Sequence, residues 1–187
     1  MADTVLTTER LILRPPEEGD LPFVQAQMNT PAVMRFLGGT PRSEDEVAAS
    51  FQADLEAFDS GGHRRWTVWL REDECRVGRC GLFPVYTEAA PEALQAEHEI
   101  GWTLAEPFWG RGYATEAARA VLGFAFGELG LARIYSQTSD SNQPSTNMMQ
   151  RLGFTHLPQL GYVDPLYPPR DNPTTVWRLT AEEWKAT

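Results

Sequence analysis

Three short stretches hold residue types that can do chemistry. In Trp109-Gly110-Arg111-Gly112-Tyr113-Ala114-Thr115, two glycines stand just before an alanine-rich amphipathic run. A helix start presents unpaired N–H groups and a partial positive charge, and glycine lets a ligand approach the backbone closely. Together these features make an anion site. The N–H groups of Arg111, Gly112, Tyr113, Ala114 and Thr115 can be aimed at one pyrophosphate, with Arg111 adding a mobile charge. On these residues alone, a helix cap with glycine for close packing explains the stretch equally well. The two familiar nucleotide motifs are missing: no GxxxxGK runs into Ser or Thr, and no third glycine completes GxGxxG. The second stretch is Glu97-His98-Glu99. In a strand it turns both carboxylates to one face and His98 to the other, which is no metal-ligand set. The third is Asn142-Gln-Pro-Ser145, where Asn142 is a good helix cap and Ser145 a common first-turn residue.

These residues need elements to position them. Residues 10–15 (RLILRP), 66–71, 76–85, 98–104 (HEIGWTL), 132–138, 154–160 and 174–180 read as strands, the second and third joined by the acidic turn Glu72-Asp73-Glu74. A short helix starts after Asp20 with Pro22 in its first turn. A second is marked by Ser43 and Glu46 at capping-box spacing, continues through Val47, Phe51, Asp54, Leu55 and Phe58, and stops at Gly61-Gly62. Further helices are expected from about Gly112 to Gly127 and from Pro144 to Leu152, with loops over 86–95 and 162–173. Strands outnumber helices in a mixed order, which predicts one α/β or α+β domain with helices on both faces of the sheet.

Composition narrows the function classes. The chain has 187 residues, 42% of them hydrophobic, enough for one domain with a real core. Its net charge of -10 argues against nucleic acid and anionic lipid as partners and is compatible with a cationic substrate. Cys75 and Cys80 form neither a disulfide framework nor zinc-finger spacing. With no apolar signal core and no membrane-length apolar run, a cytoplasmic protein is expected.

The strand HEIGWTL followed by EPFW and GRGYATEA resembles the GCN5-related N-acetyltransferase (GNAT) superfamily, whose Gln/Arg-x-x-Gly-x-Gly/Ala pattern wraps the pyrophosphate of coenzyme A. Trp109 stands where that family has Gln or Arg, a departure that leaves the backbone cradle intact. LTTERLILRPPEEGD, NQPSTNMMQRLGF and RLTAEEW look like the RimJ/RimL-type branch, the ribosomal-protein N-terminal acetyltransferases and their relatives. The resemblance implies a mixed, largely antiparallel sheet of six or seven strands over residues 1–187, splayed in the middle. The splay admits the pantetheine arm of acetyl-CoA near Trp102, Thr103 and Leu104, with Gly101 suited to a bulge.

The resemblance also implies direct acetyl transfer to a primary amine, a protein N-terminus or a small molecule, in a ternary complex without a metal. Such amines are mostly protonated at neutral pH, so a carboxylate must take a proton. Glu99, nearer the splay than Glu97, is the expected base; otherwise both carboxylates face solvent or attract cationic substrate. The N–H near Trp102 serves as oxyanion donor. Met149 occupies the place of the tyrosine that protonates the thiolate in many relatives, so Ser145 is expected to bond the departing sulfur, and Asn142 the pantetheine arm. Tyr162, Tyr167, Arg35 and Phe36 are candidates for the acceptor pocket, and His63 and His156 are expected to be structural or exposed. Homodimerisation is frequent among such proteins. The competing expectation from another class is a non-catalytic acyl-CoA-binding or sensor module on the same fold.

Overall fold

The structure, a computed structural model, describes residues 5–60 and 64–186; Gly61, Gly62 and His63, and with them the expected glycine stop, lie outside the described residues. Eight strands form a single sheet: β1 (Leu6–Thr7), β2 (Leu11–Arg14), β3 (Arg64–Leu70), β4 (Cys75–Pro84), β5 (His98–Leu104), β6 (Arg133–Ser139), β7 (Thr155–His156) and β8 (Thr174–Thr180). Their order is β1-β2-β3-β4-β5-β6-β8-β7. All neighbours are antiparallel except β5 and β6. The count exceeds the expected six or seven because the two-residue β1 adds itself to the edge, Leu6 opposite Leu13. The strand expected over 154–160 shrinks to β7, since Pro158 has no N–H to donate and the chain turns into a 3-10 helix over Pro158–Leu160.

The helices are α1 (Leu21–Phe23), which runs on as a π-turn over Val24–Met28, α2 (Pro31–Met34), α3 (Glu44–Asp59), α4 (Tyr113–Gly127), α5 (Gln143–Arg151) and α6 (Ala181–Lys185). The capping box at α3 is present: the Glu46 N–H donates to Ser43 Oγ, and the Ser43 N–H to Glu46 Oε2 at 2.8 Å. Ala117, Ala118, Val121, Leu122 and Ala125 of α4 are fully buried against the sheet in the main core. There Trp66 sits edge-on between Phe58 and Phe124, with ring centroids 5.8 and 5.5 Å away. A separate cluster of Val24, Met28, Val47 and Phe51 packs α3 onto the π-turn.

The N-terminal helical segment is anchored by Asp20. Its buried carboxylate accepts from Arg14, Arg76 and Thr67 at 2.6, 2.6 and 2.7 Å. Burial alone raises its pKa, but these hydrogen bonds and one from the Glu17 N–H outweigh burial and hold it below the usual carboxylate value. Both cysteines are free thiols. Among the described residues, no helix is long and apolar enough to cross a membrane.

Candidate active site

β5 has different neighbours along its two edges. The Val85 N–H donates to the Glu97 carbonyl and the Ala105 N–H to the Val77 carbonyl, both at 2.9 Å, and the register between β4 and β5 is unbroken from Pro84↔His98 to Gly78↔Leu104. Antiparallel pairing alternates, so Glu99, Gly101 and Thr103 turn their backbone groups to β4, while His98, Ile100, Trp102 and Leu104 turn theirs towards β6. β6 pairs with β5 at one position, Glu99↔Tyr135. Ser136 Oγ then donates to the Ile100 carbonyl at 3.0 Å. Beyond this point the strands part, and the backbone of Trp102 faces the gap. This is the splay in the middle of the sheet.

Three expectations about this strand change. No bulge lies at Gly101; the register shift in this part of the sheet is between Val68 and Trp69 of β3. Glycine is required at 101 for another reason: an added Cβ would stand 2.8 Å from Cζ of Phe83. Thr103 points its backbone to β4, so only its side chain is turned to the site. The Leu104 carbonyl accepts the indole N–H of Trp109 at 2.7 Å, and the Leu104 side chain is buried in the core. Of Trp102, Thr103 and Leu104, it is Trp102 whose main chain faces the gap.

Past Leu104 the chain makes a 3-10 turn over Glu106–Phe108 and reaches the glycines. Gly110 has φ 72° and Gly112 φ 82°, left-handed values that a residue with a Cβ adopts only with strain. Gly112 caps α4 without a side-chain acceptor. The first N–H groups of the helix are therefore not capped from within it. Trp109, Gly110, Arg111 and Gly112 are exposed, and nothing stands within 4 Å of a Cβ built on Gly110. Tyr113 is buried, and Ala114 and Thr115 are half-buried. The space on the Gly110 side of this turn is open. Arg10 shares it, donating through Nη1 to the Arg111 carbonyl at 3.1 Å and lying 4.6 Å from the ring centroid of Tyr113 while paired with Glu116 at 2.6 Å. Sequence reasoning missed Arg10, whose tie to the turn crosses about a hundred residues.

On the face of the sheet that carries Glu99 lies a cavity of about 520 Å³. Of the residues singled out from sequence, Glu99, Trp102, Thr103, Asn142, Ser145, Met149, Tyr162, Tyr167 and Phe36 line it. Arg35 does not; its guanidinium pairs at 2.6 Å with Asp171, which does. Glu97 faces the same way as Glu99 but is tied to Arg133 at 2.5 Å. His156 is exposed and stacks on Trp177 at 4.7 Å.

Within the cavity Glu99 is singular. Burial pushes its pKa up from 4.5 to about 7, against the opposing hydrogen bond from Gln137 and the charge of Arg65. Gln137 Nε2 donates to Glu99 Oε2 at 2.8 Å, and the Tyr162 hydroxyl donates to Gln137 Oε1 at 2.9 Å. This chain fixes the orientation of the carboxylate. The same burial, with the charge of Glu99 added, raises the pKa of Tyr162. Asn142 caps α5 by accepting the Ser145 N–H at 3.4 Å, and its amide donates to Thr138 Oγ1 at 2.9 Å. The cap orients Ser145, which is half-buried on the cavity wall. Sequence reasoning also missed Gln137, Arg65, Arg79 and Phe83. Alternation within β3, β4 and β6 was the available signal for the face they share.

Residues 10–155 match the family model described as "Acetyltransferase (GNAT) domain". The chain is 33% identical over 187 residues to FsC-acetyl coenzyme A-N(2)-transacetylase of Aspergillus fumigatus, covering 98% of this chain and 79% of that protein. It is 29% identical over 143 residues to spermidine N(1)-acetyltransferase of Escherichia coli K12, covering 76% of this chain and 72% of the other. Among solved structures, an acetyltransferase from Agrobacterium tumefaciens str. C58 matches with a TM-score of 0.74 at 31% identity, covering 94% of each chain.

Proposed function

The chain belongs to the acetyltransferase (GNAT) family and is an acetyl-CoA-dependent N-acetyltransferase of amines; from its cavity and the turn before α4 we propose how its residues divide that work. The observation that carries the proposal is Glu99, a buried carboxyl poised at about pH 7 on the cavity wall, beside the point where β5 and β6 part.

Acetyl-CoA supplies an acetyl group activated as a thioester. The N–H groups from Arg111 to Thr115 hold its pyrophosphate, with Arg111 and Arg10 contributing positive charge. The main chain of Trp102 pairs with the pantetheine arm as a further strand would, and its N–H stabilises charge on the carbonyl oxygen. Glu99 accepts a proton from the acceptor ammonium or from the attacking amine. Its raised pKa suits that exchange near neutrality, because a base that titrates near the working pH is ionised and still holds the proton well. Ser145 donates a hydrogen bond to the departing sulfur, a position where Met149 cannot serve. Asn142 orients Ser145 and has a second amide hydrogen for the arm.

Within the family we assign the chain to the RimJ/RimL-type branch, on LTTERLILRPPEEGD, on Asn142 and Ser145, and on methionine at 149. Acceptors then include peptide N-termini as well as small amines. A sensor that only bound acyl-CoA would have no use for a carboxylate held near neutrality in the acceptor cavity.

The test is release of free thiol from acetyl-CoA in the presence of a panel of primary amines and N-terminal peptides. We expect turnover whose kcat/KM rises with pH through an apparent pKa of about 7, the pH at which Glu99 loses its proton. Glu99→Gln is expected to lower kcat by roughly a hundredfold and to abolish that limb. Saturable acetyl-CoA binding with no turnover on any acceptor, or a limb unchanged in Glu99→Gln, contradicts the assignment.

A further inference from the structure

Arg79 stands in the middle of β4, opposite Thr67 on one side and Thr103 on the other. Its side chain is 7% exposed and lines the cavity. Nη1 donates to Asp54 Oδ2 at 2.6 Å, and the ring of Phe51 lies 5.3 Å from the guanidinium. Nε and Nη2, the other edge of the same group, have no hydrogen-bond partner among the described residues. Leaving the donors of a buried cation unmet destabilises the fold. A fold that retains such an edge on a cavity wall keeps a fork shaped for two oxygens of a carboxylate.

The rest of the lining is mixed in charge, with the carboxyl groups of Glu99, Asp164 and Asp171 beside two further arginines, of which Arg65 is paired with Asp54 at 3.6 Å. Arg65 and Arg42 also border the cavity, and Arg65 lies over the ring of Phe83 at 4.5 Å. Two of the acidic groups there accept hydrogen bonds from the protein. Asp171 accepts at Oδ1 from Arg35 at 2.6 Å and Ser141 at 3.0 Å, while its Oδ2 has no hydrogen-bond partner among the described residues. Asp164 accepts from Thr87 at 3.0 Å and from the Leu166 N–H at 2.9 Å.

We propose that the acceptor carries a carboxylate as well as its amine, and that Nε and Nη2 of Arg79 bind that carboxylate while the amine lies at Glu99. The proposal rests on acetyl transfer taking place in this cavity. Arg79 stands four residues along β4 from Phe83, the cross-strand partner of Glu99. At about 3.3 Å per residue the two backbone positions are roughly 13 Å apart. The amine and carboxylate are thus separated by a chain of several atoms, unlike those of a free α-amino acid.

The experiment compares three sets of acceptors of matched length: linear ω-aminocarboxylates from 4-aminobutanoate to 8-aminooctanoate, their primary amides, and the corresponding diamines. With the wild-type protein, the best aminocarboxylate is expected to show kcat/KM at least about tenfold above its amide and its diamine. Arg79→Gln should bring the carboxylate-to-amide ratio to about one, with circular dichroism confirming the fold. Arg79→Lys, which retains charge but not the fork, should restore only part of the ratio. If Arg79→Gln does not fold, the wild-type ratio decides alone. Amides or diamines used as well as carboxylates overturn the proposal. If no acceptor turns over, calorimetric titration of 6-aminohexanoate and its amide decides. Binding of the carboxylate alone upholds the Arg79 subsite while acetyl transfer in this cavity fails, and no preference between them overturns the subsite.

Discussion

The turn before α4 and the cavity beneath α3 are built on opposite plans. The turn is one continuous run, Trp109 to Thr115, and its chemistry belongs to the main chain: two left-handed glycines and the uncapped N–H groups of a helix. The cavity is assembled from side chains of β3, β4, β5, β6, α5, the segment after α1 and the loop before β8. A backbone site of this kind binds the part of the ligand common to a family and needs little from particular side chains. A site made of scattered side chains changes with each substitution, so specificity resides there.

If the two regions are separable, changes in one should leave the other's ligand untouched. The largest expected effect is on stability against pH. Glu99 has a folded pKa of about 7 against 4.5 for the free group. The native state therefore binds the proton more tightly, and this contribution is full below about pH 4.5 and lost as pH rises through about 7. Urea midpoints should fall between pH 5 and pH 8, and Glu99→Gln should flatten the trend by up to about 3 kcal/mol. A trend identical in the variant breaks the assignment of Glu99 as the strained group. Next is Gly101→Val, whose Cβ would meet the Phe83 ring at 2.8 Å. Phe83 stacks on Tyr86 at 6.2 Å and carries Arg65, so moving it disturbs the cavity wall. Overpacking of this kind costs roughly 1–3 kcal/mol. Acceptor kcat/KM should drop by about tenfold or more in steady-state assays, with the acetyl-CoA Kd within about twofold of wild type.

Ser145→Ala follows. It should reduce kcat by about tenfold, as expected for one lost hydrogen bond to a charged leaving group, and leave the acetyl-CoA Kd little changed. An equal loss in affinity would make Ser145 part of the binding surface only. The smallest effect belongs to Trp109→Phe, which removes the donor to the Leu104 carbonyl. It should cost about 1 kcal/mol, a few degrees in Tm by thermal denaturation.

The sequence was most legible where a motif is local. The capping box at Ser43 and Glu46, the helix starting at Gly112, the shared face of Glu97 and Glu99 and the cap at Asn142 all rest on contacts within a few residues. The cavity was legible only in part. Glu99 could be placed on a face by alternation, but its elevated pKa depends on burial in the cavity, against Gln137 and Arg65, 38 and 34 positions away. Gln137, Phe83 and Arg79 reach the cavity through strand register, which pairs Arg79 with both Thr67 and Thr103. Register is a tertiary fact. The bulge expected at Gly101 shows the same limit: the glycine is required, but by the ring of Phe83, a cross-strand neighbour that no local pattern reveals.

The division between main-chain turn and side-chain cavity is tested most directly by the acetyl-CoA dissociation constants of Gly112→Val and Glu99→Gln, measured by titration calorimetry on the folded proteins. Gly112→Val places a β-branched residue at φ 82°, and its Kd is expected to rise at least tenfold, about 1.4 kcal/mol or more, while that of Glu99→Gln stays within about twofold of wild type. A Gly112→Val protein that binds acetyl-CoA as tightly as wild type contradicts the account.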